Sequence, residues 1–188
     1  MKNFLQVFYG ILLMVFSISC THSGENDVDI LIIGGGASGV TSGIQAARLG
    51  ATTLVIEESP WLGGMLTSAG VSAVDGNYNL PAGLWGEFKV RLADYYGGLD
   101  SLNTGWVSKV LFEPSVGNRI FHEMVEAEEN LRVWKLAHLK EIKKDGDRWI
   151  AEVSVEGEGI KKIQAKIVID ATELGDVAKM CGVKYDIG

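Results

Sequence analysis

The stretch from Asp29 to Gly43, reading DILIIGGGASGVTSG, constrains this chain more than any other. Ile30–Ile33 is an apolar run without alternation, the pattern of a strand covered on both faces in a parallel sheet. Gly34, Gly36 and Gly39 follow with the spacing G-x-G-x-x-G, and Ala37 and Ser38 stand between the second and the third. At this spacing the first glycine permits a tight turn and the second lets backbone N–H groups approach a pyrophosphate. The third lets helix and strand pack closely. The helix N-terminus adds partial positive charge for phosphates. A helix is predicted to Leu49, with Gly50 as its stop, and Thr52–Ile56 reads as a second strand ending at Glu57. An acid about 20 residues beyond the turn is placed to accept hydrogen bonds from an adenosine ribose diol. Glu58 takes that role if the strand ends one residue later. Either acid favours an unphosphorylated ribose, hence FAD or NAD over NADP.

Residues ahead of this unit read as processing. Lys2 is a short positive region, and Phe4–Ile18 is almost wholly apolar but shorter than the roughly 20 residues of a membrane span. Ser17-Ile18-Ser19-Cys20 resembles a bacterial lipoprotein cleavage box, with Ser17 where that box carries an aliphatic residue. The resemblance implies cleavage before Cys20, a lipid on its thiol, and a location in the bacterial cell envelope with membrane contact through that anchor alone. Thr21–Asp27 is polar and reads as a tether, leaving 28–188 as one nucleotide-binding domain. A net charge of −7 argues against nucleic acid, which needs clustered Lys and Arg. Cys181 has no intrachain partner if Cys20 is lipidated, so no disulfide framework is expected. The three histidines, His22, His122 and His138, are scattered, and no metal site is expected.

Beyond Glu57, Gly63-Gly64 suggests a tight backbone passage, either against a cofactor or as a plain turn. Leu84–Tyr96 fits a helix with Leu84, Phe88, Leu92 and Tyr95 on one face, and Trp85, Tyr95 and Tyr96 are weighted towards core. Gly97–Phe112 reads as loop. Ser115 is placed to cap a helix running to about Glu129, with Val116, Ile120, Met124 and Ala127 as its apolar stripe. Glu123, Glu126, Glu128 and Glu129 read as its solvated face. Asn130–Trp134 is a third short strand. His138–Lys143, Arg148–Val155 and Lys161–Ala165 then read as an antiparallel meander, turning at Asp145-Gly146 and at Gly157-Glu158-Gly159. Ile167–Asp170 is a further apolar strand running into Ala171-Thr172-Glu173-Leu174-Gly175-Asp176, a loop suited to close backbone approach. Cys181, beyond it, is read as a small core residue.

With both motifs quoted, the chain resembles the glutathione-reductase-like FAD-dependent oxidoreductases, and within them the bacterial proteins with a GGGASG start and an ATELGD motif. The likeness runs from Asp29 to about Asp186. It implies a Rossmann-like three-layer α/β FAD-binding fold with an inserted antiparallel β-meander. It also implies a flavin that accepts a hydride from a small organic substrate. By the same resemblance Gly34, Gly36 and Gly39 would hold the FAD pyrophosphate and Glu57 the ribose. Gly63, Gly64 and Met65 would run along the pyrophosphate and ribityl chain, Leu139 would meet the adenine, and Gly175 and Asp176 would meet the ribityl and pyrophosphate region. The family resembled continues past the second motif into a substrate region, so the sequence ending at Gly188 is expected to be an N-terminal portion. An NAD-linked oxidoreductase domain and a non-catalytic nucleotide-binding chain share the first motif and remain open. No catalytic acid, base or nucleophile is assigned, because nothing in the spacing of Asp75, Asp94, Glu113 or His122 sets them apart.

Overall fold

A computed structural model describes residues 26–76 and 78–186; the processing segment with Cys20, and most of the tether, lie outside the described residues. The elements in chain order are β1 (Asp27–Ile33), α1 (Ala37–Arg48), β2 (Thr53–Ile56), α2 (Gly83–Tyr96), α3 (Pro114–Glu126), β3 (Leu131–Trp134), β4 (Ala137–Asp145), β5 (Arg148–Val155), β6 (Gly159–Asp170) and α4 (Asp176–Met180). Short 3₁₀ turns occupy Gly64–Leu66 and Leu99–Leu102, the second within the stretch read as loop. β1 opens at Asp27, one residue inside the predicted tether, where the Asp27 carboxylate pairs with Arg148.

All six strands are joined in the order β3-β2-β1-β6-β5-β4. β3, β2, β1 and the second half of β6 run parallel, while β6, β5 and β4 are antiparallel. Two predicted strands, Lys161–Ala165 and Ile167–Asp170, are therefore one. Gln164 and Ala165 pair with β5 on one side and with Asp27 and Val28 of β1 on the other. The sequence pattern changes at this point because the partner strand changes, not because the strand stops.

Side-chain alternation along β1 and β2 explains the lack of polar alternation in their sequence. Ile32 and Val55 face the three long helices, where Val40, Ile44, Phe88, Leu92, Phe121 and Met124 meet them. Leu31, Ile33, Leu54 and Ile56 face the other way, against Ala137, Ile142, Ala151, Val153 and Ile163 of the meander. The parallel strands thus lie between a helical layer and a β-meander, as the predicted three-layer fold requires. Each fully buried Leu or Ile contributes about 1.5–3 kcal/mol.

The helices depart from their predicted patterns in detail. In α2, Phe88 and Leu92 are buried, and Phe88 stacks on Phe121 at 4.5 Å between ring centroids. Tyr95 is 50% exposed with the Arg119 guanidinium 4.3 Å over its ring, so it belongs to the surface and not to the apolar face. α3 starts with Pro114 after Glu113 and has no side-chain cap, so Ser115 is not its cap. Pro114 supplies a preset φ at a position that needs no N–H donor. α3 ends at Glu126, leaving Ala127 as an exposed end residue instead of part of the stripe. Glu128 is not a solvated glutamate: its carboxylate holds Arg48 at 2.7 Å, and Arg48 also pairs with Glu87 at 2.9 Å. This network ties the end of α1 to α2 and to the residues after α3. Cys181 lies just past α4, partly buried against the meander core, and burial pushes its thiol pKa up, helped by the charge on Asp170.

Candidate cofactor-binding site

The site is built where β1, β2 and β6 end. Gly34, with φ +105°, turns the chain out of β1, and its N–H donates to the Ile56 carbonyl at 2.8 Å. A Cβ on Gly34 would lie 2.3 Å from the Ala171 carbonyl oxygen, so the first glycine turn and the second motif press against each other. α1 then begins with Gly36 as N-cap, with no side-chain cap and no acid in its first turn. The first N–H groups of a helix lack intrahelical acceptors, and here no side chain of the N-cap satisfies them. That end is disposed towards an anion.

The Glu57 carboxylate staples this turn. Its two oxygens accept the Gly35 N–H at 2.6 Å and the Ser59 N–H at 2.7 Å. Each oxygen keeps a further lone pair for a hydroxyl donor. Glu58 does not share in this staple and lies 3.4 Å from His138 Nδ1. Gly63-Gly64 packs against the first motif: Gly63 is bridged to Gly36, and its N–H donates to the Gly35 carbonyl at 2.8 Å. Behind it stands the Phe121 ring, and the Asn118 side chain accepts the Leu62 N–H at 2.8 Å. The tight passage is therefore made by contact with the first glycine turn, with positive φ at both residues.

One cavity of about 440 Å³ connects these parts, within the usual range for a small-molecule site. Of the predicted residues, Gly34, Gly36, Glu57, Glu58, Gly64, Met65, Leu139 and Asp176 line it. Gly39, Gly63 and Gly175 do not. Ala37 and Ser38 face a separate groove between α1 and α2. Ser68, Ala69, Ala137, Thr172, Glu173 and Leu174 also line the cavity and carry no assignment in the sequence reading. Thr172, Glu173 and Leu174 lie inside the second quoted motif, and Ser68 and Ala69 follow the Gly63-Gly64 segment; Ala137 shows no signal of its own. His122 lies outside the cavity beside Lys135, and burial, followed by the Lys135 charge, pushes its pKa down.

The lining fits a dinucleotide held by backbone groups. A Cβ on Gly36 would meet no atom within 4 Å, so this glycine leaves space above the uncapped helix end that any side chain would fill. The lining includes no Lys or Arg, which leaves phosphate binding to N–H groups.

Known proteins resemble this chain in sequence and in fold. The family model described as "FAD dependent oxidoreductase" matches residues 29–188. A flavoprotein/dehydrogenase structure from Cytophaga hutchinsonii is similar with TM-score 0.61 and 17% identity, over 86% of this chain and 43% of that one. The p-nitrophenol 4-monooxygenase from Pseudomonas putida is similar with TM-score 0.56 and 15% identity, over 86% of this chain and 45% of that one. Mitochondrial dihydrolipoyl dehydrogenase 2 of Arabidopsis thaliana is 44% identical over 59 residues, which is 29% of this chain and 12% of that protein. The chain thus spans less than half the length of each of these proteins.

Proposed function

This chain belongs to the FAD dependent oxidoreductase family and its cofactor is FAD; we propose that it is the FAD-binding portion of an exported oxidoreductase that acts on a small organic substrate. The observation that carries this reading is that one cavity is lined by both glycine segments, by Glu57 and by the second loop. Gly36 and the first turn of α1 would hold the pyrophosphate, Glu57 the ribose diol and Leu139 the adenine. Gly64, Met65 and Asp176 would line the middle of the molecule. The flavin supplies the ring that takes a hydride from the substrate, and the protein orients that ring and excludes water. Export and anchoring rest on the residues up to Cys20, with the cell envelope as the destination.

The test is a visible absorption spectrum of the purified chain, with the cofactor released by heat and identified by chromatography. Stoichiometric FAD supports the reading. NAD in its place, or a cooperatively melting protein that never takes up FAD, overturns it. Incorporation of labelled fatty acid that disappears in Cys20→Ser tests the anchor separately.

A further inference from the structure

We infer that Asp170 and Thr172 form a hydrogen-bond relay that positions the second cofactor loop, Ala171–Asp176, against the first glycine turn. The inference rests on reading the cavity as the FAD site. Asp170 is the last residue of β6 and does not itself line the cavity. Its Oδ1 accepts the Thr172 N–H at 3.0 Å and the Thr172 hydroxyl at 2.6 Å. The Thr172 Oγ1 in turn accepts the Asp176 N–H at 3.1 Å. The other carboxylate oxygen, Oδ2, accepts the Ala178 N–H at 2.7 Å. One carboxylate and one hydroxyl thereby tie the irregular residues Ala171–Gly175 to the end of β6 and to the first turn of α4.

Other bonds hold the two ends of the loop: the Lys179 N–H donates to the Gly175 carbonyl at 3.1 Å. The Ala171 N–H donates to Ile33 at 2.8 Å, and its carbonyl abuts Gly34. Thr172, Glu173, Leu174 and Asp176 all line the cavity, so any shift of the loop changes the cavity wall. The chemistry demands these residue types. A carboxylate accepts at both oxygens, whereas an amide presents N–H at one of them and opposes either Ala178 or Thr172. A hydroxyl alone donates to Asp170 while accepting from Asp176. Burial drives the Asp170 carboxyl upward, and the hydrogen bonds from Thr172, Ala178 and Val177 outweigh it, leaving the pKa below its ordinary value.

The test compares Thr172→Val and Thr172→Ser in the full chain, with Asp170→Asn as a third variant. FAD affinity is read by flavin fluorescence, and amide hydrogen exchange is read on the cofactor-free protein. Valine keeps the shape of threonine and loses the hydroxyl; serine keeps the hydroxyl and loses the methyl. The relay predicts weaker FAD binding by about tenfold and faster exchange at Asp176 in Thr172→Val, the loss of one hydrogen bond of a charge-assisted pair. Thr172→Ser stays within about threefold of the parent, less than one ordinary hydrogen bond. Asp170→Asn weakens binding by at least about tenfold and speeds exchange at Ala178. Serine binding more weakly than valine, or unchanged exchange in Thr172→Val, overturns the relay and assigns these residues to packing. A parent chain that takes up no FAD overturns the cavity reading instead, and the exchange measurement still decides the relay.

Discussion

A Cβ placed on Gly39 would lie 1.8 Å from the carbonyl oxygen of Gly34, while one placed on Gly36 would meet nothing within 4 Å. Two glycines of one motif are thus kept for different reasons. Gly39 lets the first turn of α1 lie on the strand exit, and Gly36 leaves the space above the helix end open. Gly36 has φ −63° and ψ 179°, a conformation open to any residue. Gly39→Ala is expected to cost about 3 kcal/mol by overpacking against backbone. Gly36→Val should melt like the parent and retain no FAD. Denaturant titration and flavin content measured on both variants check the pair, and unchanged flavin in Gly36→Val refutes the assignment of the turn.

Glu57 carries a structural load besides any contact with ribose. Glu57→Ala leaves the Gly35 and Ser59 N–H groups without their acceptor. The expected cost is about 1–3 kcal/mol for unsatisfied donors. Glu57→Gln keeps one oxygen acceptor and should lose roughly half as much stability. Equal denaturation midpoints for the parent and Glu57→Ala would show that the staple is not made in solution.

Acid sensitivity should be traceable to Asp29. The Lys166 ammonium, then the Thr52 N–H and hydroxyl, hold the Asp29 carboxyl at about 2, below its ordinary 3.8. A depressed folded pKa means that the unfolded chain takes up the proton first. The stabilisation is complete above the ordinary carboxylate range and is lost as pH falls from about 4 towards 2. Asp29→Asn should be less stable at neutral pH and should show a shallower decline through that window. Parallel curves of denaturation midpoint against pH would refute the assignment.

Leu136 is the one non-glycine residue with positive φ among the described residues, at +52°, between β3 and β4. Such a conformation costs an L-residue about 1–2 kcal/mol. Glycine removes that cost and adds about 0.5–1 kcal/mol of chain entropy. Leu136 is 37% exposed, so truncation also gives up the packing of a mostly buried leucine, about 1–2 kcal/mol. Leu136→Gly should therefore leave the melting temperature unchanged or lower it by up to about 4 °C. A higher melting temperature would mean that the strain outweighs the leucine contacts.

The parallel unit was legible because its signals are local. An unbroken apolar run, glycines at fixed spacing and a terminal acid each reflect one strand, one turn or one helix end. β6 was not legible as one strand, because its two halves satisfy different partners, and a linear pattern records the environment but not continuity. The role of Glu128 was missed for a related reason. Glu128 belongs to a charge network with Arg48, 80 positions earlier, and nothing beside it in the chain announces that contact.

Residue order alone decides that this chain has a dinucleotide-type turn, where its acid stands, and that a second glycine segment and a second loop exist. These follow from backbone freedom at glycine and from side-chain periodicity, which act over a few residues. The division of the glycines into packing and ligand positions is decided by folding. So is the role of Asp170, which reads as the polar end of a strand and becomes the anchor of a loop. The first depends on the contact of Gly39 with the Gly34 carbonyl, and the second on Thr172 and Ala178 folding back onto Asp170, beside the close approach of Gly34 to Ala171. Steric exclusion and hydrogen-bond satisfaction between such segments are pairwise properties of the fold.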